Sequence, residues 1–583
     1  MDETKIGLRA QIATAVRAPW FAYLTITCFQ LAAMWGVFSR RDLTSGDTCE
    51  YYVNACLWRD SFRVVFAWSP LYTAFFGSFL WVFPDPFLAT MAHRLAIVLI
   101  VTVLFLALAR KLLPAPIAWL VAAWWAVLPI NYNTLYEIHL FSVIPFQLAA
   151  LALACWAGAL GRGAALGVLI ASSVLVRNEN IVPAAVLGLV SLVVEARALW
   201  GRHFERRRLS MTAASYVVPM VIALGLIALA YERSTVKGAT LQRVFAAKHT
   251  LNMAQVYAFG YGQRNPDYTD NPWIGYQELL RRDFSKELPT LKEMLWANPW
   301  ATMRHIAWNW RLAPSGFQVL LFNQASGSVN PDYAPTILNS RAALVLSLVV
   351  ATIWAAGVVS WRRRPQMFRE LVDGQSWGWV GITILLTAVP LVVSTQRPRP
   401  SYLFNLSMAT MLATGLWVRL LLPKMAWSGL SRVMPIVSLG LIVGATQLPK
   451  RSGATDRPLA ETVHRLQPYG GDIRAGKLLI GEFASEVRAY VGEHKARPVS
   501  AGQVIEQWDG KAPVAELLSE SGATLAYLDE PTLQKFEAKH PCWDALRTLP
   551  RSSGWRVVQF GDEPGKRYCV LKREAERVAA RVK

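Results

Sequence analysis

Apolar runs recur along most of the chain, interrupted by short polar segments. Many of them continue for about 18 residues or more without a charge, the length a helix needs to cross a bilayer. The pattern predicts about eleven spans, at residues 19–38, 91–109, 115–130, 140–160, 164–176, 181–196, 211–230, 342–360, 377–395, 401–422 and 426–446. The run at 19–38 is longer than a signal-peptide core and lacks a small-x-small cleavage site, so it reads as a retained first helix.

Lys and Arg in the short loops set the orientation. With the N-terminus in the cytoplasm, Arg110-Lys111, Arg162, the cluster Arg197 to Arg208, the run Arg362 to Arg364 and Lys424 all fall on the cytoplasmic side. The other side then holds a first loop at about 39–90, a second at about 231–340 and the tail from 447. Within the first loop, the apolar segment 68–83 is too short for a span and suits a helix lying at the interface. The tail changes character. Lys477 to Ile480, Ala523 to Tyr527, Trp555 to Val558 and Tyr568 to Leu571 read as strands, and Gly561-Asp562-Glu563-Pro564-Gly565 as a hairpin turn. The expected fold is a polytopic α-helical membrane domain over 1–446 and a small periplasmic α/β domain over 447–583.

Composition narrows the function. Of 583 residues, 54% are hydrophobic and 17% charged, which excludes a soluble enzyme, a disordered chain and a disulfide scaffold. The net charge of +21 is bunched between apolar runs, and no zinc spacing or helix-turn-helix pattern accompanies it, so nucleic acid is not an expected partner. Cys28 and Cys155 fall in spans and read as packing residues. Cys49 and Cys56, if helical, stand about 10 Å apart by rise, too far to bond. Cys542 with Cys569 is the better candidate pair. The histidines are scattered without a His-Glu-x-x-His motif, so a zinc hydrolase is not supported.

Four polar sites from distant parts of the chain meet on the outer face. The first is Ser45 to Tyr52, with Asp47, Glu50 and Tyr51. Asp47 as N-cap with Glu50 three residues on would make a capping box, although an N-cap carboxylate can still accept a proton. The second is Asn131 to His139, with Glu137 and His139. The third is Val176 to Asn180, where Arg177 and Glu179 would otherwise be a helix-capping pair. The fourth is Thr395 to Tyr402, which puts Arg397 and Arg399 outside against the positive-inside rule. Arginine grips phosphate through its planar fork, and a carboxylate can take a proton from a hydroxyl. The set suits a substrate carrying both. In the large loop, Trp296, Trp300, Trp308 and Trp310 could stack on sugars or form an interfacial belt, the commoner case. Arg304 and His305 beside them are candidates for lining the site.

With these residues in place, the sequence resembles the GT-C superfamily of integral-membrane glycosyltransferases, and within it the protein O-mannosyltransferase and lipid A aminoarabinose transferase group. Gly46-Asp47 with Tyr51-Tyr52 resembles that group's first acidic motif. Trp68-Ser69-Pro70-Leu71-Tyr72 resembles its Pro-Leu-Tyr segment, and His93-Arg94-Leu95 the start of its second span. Glu137 falls where the group has a second acidic residue. Leu175 to Glu179 resembles an Arg-Pro-Glu motif with Asn178 in place of Pro, and Arg399 to Tyr402 a late Arg-Tyr motif. The acidic pair of the group is usually adjacent, whereas Asp47 is followed by Thr48.

The resemblance, over about 18–446, implies transfer of a sugar from a polyprenyl-phosphate donor to a hydroxyl of a lipid, glycan or protein at the outer face of a bacterial inner membrane. Asp47 would be the base, with Glu137 as the second catalytic carboxylate. Arg399, Arg397 and Arg177 would bind the donor phosphate. Tyr51, Tyr72, His139, Glu179, Tyr402, Arg304 and His305 are the candidate sugar or acceptor contacts. No cofactor is required by this reading. A divalent metal is possible, since some members of the superfamily use one. The alternatives are a glycan ligase or polymerase of the O-antigen type and a lipid or polysaccharide transporter. A transporter would show repeated halves, and no repeat is visible.

Overall fold

The computed structural model describes residues 19–128, 137–156, 158–200, 206–235, 241–322, 341–421, 457–509, 511–539, 541–549 and 553–574. The chain divides into two compact units, one of Met1–Ser39, Arg63–Tyr72 and Met91–Gly453, the other of Arg40–Phe62, Thr73–Thr90 and Ala454–Lys583.

The first unit is helical. Among the described residues, eight helical segments are long and apolar enough to cross a membrane: Pro19–Ser39, Pro86–Leu112, Glu137–Cys155, Asn178–Ala198, Leu209–Glu232, Leu344–Arg363, Ser376–Thr395 and Pro400–Leu421. In Leu209–Glu232, Val217, Val218, Val221, Ile222, Leu224 and Leu229 are exposed, an apolar outer surface that only lipid would cover. The protein is therefore a polytopic α-helical membrane protein. Two of the expected spans differ: Ala115–Ala126 and Ala159–Leu175 are shorter apolar helices. The expected span at 426–446 lies outside the described residues. Cys28 and Cys155 are exposed rather than packed.

Small residues let these helices approach closely. A Cβ on Gly163 would lie 1.9 Å from the Ser215 carbonyl, and one on Gly167 2.8 Å from the Pro219 carbonyl, so Ala159–Leu175 packs tightly against Arg206–Glu232. Arg162, read from sequence as a loop charge, sits in the first turn of Ala159–Leu175. It is buried, paired with Glu195 at 2.5 Å and bonded to the Tyr216 hydroxyl at 2.9 Å. Gln30, also buried, is matched in the same way. Gln30 donates to the Ala126 carbonyl and accepts from Thr102.

The second unit is built on a five-stranded sheet: β1 (Lys477–Ile480), β2 (Arg497–Ser500), β3 (Leu525–Asp529), β4 (Trp555–Gly561) and β5 (Tyr568–Arg573), in the order β2-β1-β3-β5-β4. The first three strands run parallel. β5 is antiparallel to β3 and β4, so the 561–565 turn closes a hairpin. Strand β2, short and with Pro498 in it, had no clear alternation and escaped the sequence reading. Alternate residues serve opposite faces. Ala526, Leu528, Cys569 and Leu571 join the cluster under Trp508, Leu518 and Phe536. Leu478, Ile480, Tyr527 and Val570 join the other cluster.

That second cluster draws on the first loop as well as the tail. It includes Leu43, Tyr52, Ala55 and Cys56 from the first loop, and Phe76 and Leu80 from the helix Pro70–Val82. Parts of the first loop thus belong to the same folding unit as the tail. The fastenings are specific. Asp42 accepts from the backbone N–H of Leu459 at 2.9 Å and of Ala460 at 2.8 Å, the first turn of Pro458–Leu466. The Tyr490 hydroxyl donates to the Thr44 carbonyl at 2.7 Å, and its ring lies 4.9 Å from that of Tyr52. Cys542 and Cys569 share the first cluster as free thiols, and burial pushes them up to about 11 and about 12 respectively.

Candidate active site

Three helix ends in the first unit supply one polar cleft. The helix Ala159–Leu175 ends in extended backbone at Arg177. Its turn is fixed by Arg177 N–H donating to the Ser172 carbonyl and by Asn180 Nδ2 donating to Ser172 Oγ at 3.1 Å. The helix Glu137–Phe141 brings His139. The segment Pro400–Leu403, following the turn through Arg399, brings Tyr402. The cleft is lined by His139, Arg177, Glu179, Asn180, Tyr402 and Asn405, among others.

Arg177 organises it. Its Nε donates to Glu179 Oε1 at 2.5 Å and its Nη1 faces His139 Nδ1 at 2.7 Å. A guanidinium can only donate, so the facing ring nitrogen accepts. The guanidinium carbon lies 5.1 Å from the Tyr402 ring centroid, and His139 meets that ring edge-on at 4.5 Å. Arg399 lies within electrostatic reach of His139. Arg397 is buried, its guanidinium 3.9 Å from the Phe259 ring centroid. The Arg–Glu pairing expected as a capping contact is therefore present, but it also fixes the imidazole and the tyrosine.

Glu137 and Tyr72 are placed differently. Glu137 is buried in an ion pair with Arg94 at 2.5 Å, each side chain 2% exposed. Its carboxylate holds the helix that presents His139. The Tyr72 hydroxyl pairs with His93 Nε2 at 3.1 Å, and its ring packs on Phe141. The neighbouring Ser69 donates to the Val176 carbonyl at 2.7 Å. The Trp68–Tyr72 segment thus braces the cleft. Residues 131–136 lie outside the described residues.

Asp47 and Tyr51 belong to the second unit. Asp47 is not an N-cap. Gly46 takes that position at φ 71°, ψ −137°, with no side-chain cap, and Asp47 opens the helix Asp47–Ser61. A positive φ is costly for any residue with a Cβ. Asp47 is exposed, and its carboxylate makes no hydrogen bond or ion pair among the described residues. The capping box is absent because glycine, not aspartate, sits at the turn. Tyr51 is buried.

Arg304 is exposed and His305 fully buried, on the helix Pro299–Phe322 of the first unit. Burial and the nearby Arg264 hold His305 down to about 3. Trp296 and Trp300 are strongly exposed, while Trp308 is half-buried. Among the described residues, no group of three or more His, Cys, Asp or Glu side chains is arranged to hold a metal ion.

Sequence reasoning missed Asn405 and carried Arg94 and Asn180 only as members of motifs, with no role. Arg94 stood in a motif, but nothing local tied it to Glu137, 43 residues away.

No family model matches the chain, and no curated protein matches it. Among solved structures, the chain is similar to the archaeal oligosaccharyltransferase AglB from Archaeoglobus fulgidus, solved with an inhibitory peptide and a dolichol-phosphate. The TM-score is 0.38 and the identity 10%, over 90% of this chain and 71% of that one.

Proposed function

We propose that the protein is a GT-C-type glycosyltransferase that moves a sugar from a polyprenyl phosphate to a hydroxyl on a lipid, glycan or protein. The observation that supports it most is the Arg177–His139–Glu179–Tyr402 cleft, with Arg399 beside it, assembled at the ends of membrane-length helices. Arginines held by second partners are pre-aimed at an anion, which is how an active site stabilises charge on a leaving group without reorganising.

In this reading Arg399, with Arg177 and Arg397, receives the donor phosphate. Asp47 takes the proton of the acceptor hydroxyl. The acceptor oxygen forms a bond to the anomeric carbon as the bond from that carbon to the phosphate oxygen breaks. The configuration inverts and the lipid phosphate leaves as the anion. Asp47 suits the role because its carboxylate is exposed and not engaged in capping. Glu137 suits a positioning role, since Arg94 takes its carboxylate. No step runs through a metal. The reading places the N-terminus in the cytoplasm of a bacterial inner membrane and the second unit in the periplasm.

The test is mass spectrometry of membrane lipids from cells with the wild-type protein, the Asp47→Asn protein, or none. Accumulation of one polyprenyl-phosphate sugar in both the variant and the deletion identifies the donor. A variant that matches wild type while the deletion differs removes Asp47 from the chemistry.

A further inference from the structure

Two helices of the first unit outside the candidate spans, Leu241–Arg264 and Pro299–Phe322, carry a second group of arginines. Trp308 is at its centre. The indole N–H donates to Gln263 Oε1 at 3.0 Å, which fixes the ring. The guanidinium carbon of Arg264 lies 5.9 Å from the ring centroid and that of Arg311 5.6 Å. Arg264 Nη1 also donates to the Arg304 carbonyl at 3.3 Å, bringing the third arginine's backbone into the group.

These arginines differ from their neighbours. Arg281 pairs with Glu287 and Arg282 with Asp283. Arg264, Arg304 and Arg311 have no carboxylate partner among the described residues. Asp283 is engaged by the Tyr257 hydroxyl at 2.6 Å as well as by Arg282. Burial holds the Arg264 guanidinium below its ordinary pKa, with Arg304 acting in the same direction and Tyr257, Tyr261 and Asp283 opposing it in part. His305, next to Arg304 in the chain, is buried, and its Nδ1 has no hydrogen-bond partner among the described residues. Three arginines gathered without a paired carboxylate among the described residues make a positive site that an anionic ligand suits.

We propose that Arg264, Arg304 and Arg311, gathered about Trp308, bind a phosphate group of a substrate or lipid at a site separate from the Arg177 cleft. Guanidinium forks match phosphate oxygens in pairs. The helix that carries Arg304 and Arg311 also packs against the segment leading to the cleft. On the same helix Trp310 Nε1 donates to Ser394 Oγ at 3.1 Å, and a Cβ on Gly316 would lie 2.2 Å from the Pro398 carbonyl. Arg311 and Gly316 are about 7 Å apart by helical rise, and Arg304 and Gly316 about 18 Å. A molecule with a reacting end at the cleft and a phosphate one or two sugars away would reach both. If the transferase reading stands, this second phosphate belongs to the acceptor.

The test is binding, independent of transfer. The full chain in neutral detergent is titrated with glucose 6-phosphate at constant ionic strength, with glucose as control, and read by thermal shift. In parallel, the chain in nanodiscs of mixed phosphatidylglycerol and phosphatidylcholine is read by native mass spectrometry of retained lipid. Arg304 and Arg311 are exposed, so Arg304→Gln and Arg311→Gln should fold normally. Each is expected to weaken phosphate binding about tenfold, while Arg399→Gln leaves this binding in place. Loss of the glucose 6-phosphate shift in the double variant assigns a soluble phosphate. Loss of retained phosphatidylglycerol alone assigns a lipid headgroup. If the double variant binds as wild type does, or if neither probe engages the wild type beyond its control, the proposal is overturned. If Arg399→Gln abolishes all phosphate binding, the second site is overturned and the cleft alone stands.

Discussion

In the first unit, Arg177 is held by a carboxylate, an imidazole and an aromatic ring at once. In the second, Asp47 opens a helix whose cap is left to Gly46, and its own carboxylate is ungripped among the described residues. The surroundings of Asp47 are nevertheless fixed. Asp42 and Thr44 are both bonded to the tail. The contrast separates two requirements. A group that receives charge gains from being locked before the ligand arrives. A group that accepts a proton loses basicity when other donors already occupy it. Rigid backbone with an uncommitted side chain is the solution for the second case.

The contrast breaks most directly at Asp47. Asp47→Asn is expected to reduce transfer by at least about 100-fold while thermal stability in detergent stays near wild type. A drop in melting temperature with transfer retained would mean the residue serves the helix after all.

Glu137 is the next test, because its carboxylate is paired with Arg94 in the interior. Glu137→Gln leaves Arg94 buried without its charge partner, which costs about 3–5 kcal/mol, and should be read as lost expression or a lower melting temperature. Replacing both residues with Arg94→Met and Glu137→Leu should recover most of that stability. A recovered double variant that still transfers sugar would remove Glu137 from the chemistry. In the same unit, Arg177→Gln withdraws charge-assisted bonds worth about 1.5–3 kcal/mol each. It should raise the KM for the donor more than it lowers kcat, measured with purified enzyme.

These tests bear on residues of uneven legibility. The apolar runs marked the spans because a bilayer imposes length and hydropathy locally. Strands β1, β3, β4 and β5 were legible as short apolar or β-branched runs, and β2 was not, because Arg497-Pro498-Val499-Ser500 is not such a run. Arg177, Glu179, His139 and Tyr402 were each singled out from sequence and meet in one cleft. What stayed hidden is long-range. Tyr52 and Phe76 pack with Ile480 and Tyr490, and no window of neighbouring residues records that. Asp47 was misread as a cap because aspartate is the commoner residue there. Only the backbone shows that Gly46 takes the turn.

Acid should separate the two units. His305 is buried in the first, held down to about 3 from an ordinary 6.5. On acidification the unfolded chain binds that proton first, so the contribution is full above pH 6.5 and declines as pH falls toward 3. One unit below the ordinary value the loss is about 1.4 kcal/mol. Glu530 in the second unit is held below its ordinary 4.5, chiefly by Arg567. Its contribution persists above that range and is lost only as pH falls through the lowered value. Melting between pH 7.5 and 5.5 should therefore weaken the first unit, and His305→Gln should reduce that dependence.

The smallest expected effect probes the connection between the tail and Asp47. Tyr490→Phe removes the hydroxyl that donates to the Thr44 carbonyl but keeps the ring against Tyr52. One buried hydrogen bond is worth about 1 kcal/mol, so the second unit should melt slightly lower. The informative quantity is the split in kinetics. The arginine cleft lies in the other unit and is untouched, so the donor KM should hold. The loop that carries Asp47 loses one of its fastenings, so kcat should fall a few-fold, the effect expected when a base is displaced by a fraction of an ångström. Asp42→Asn, which weakens the other fastening at Leu459 and Ala460, should reproduce the same split. Equal changes in KM and kcat for both variants would reduce the tail to a folding partner. A kcat effect alone would make it the scaffold of the proton acceptor.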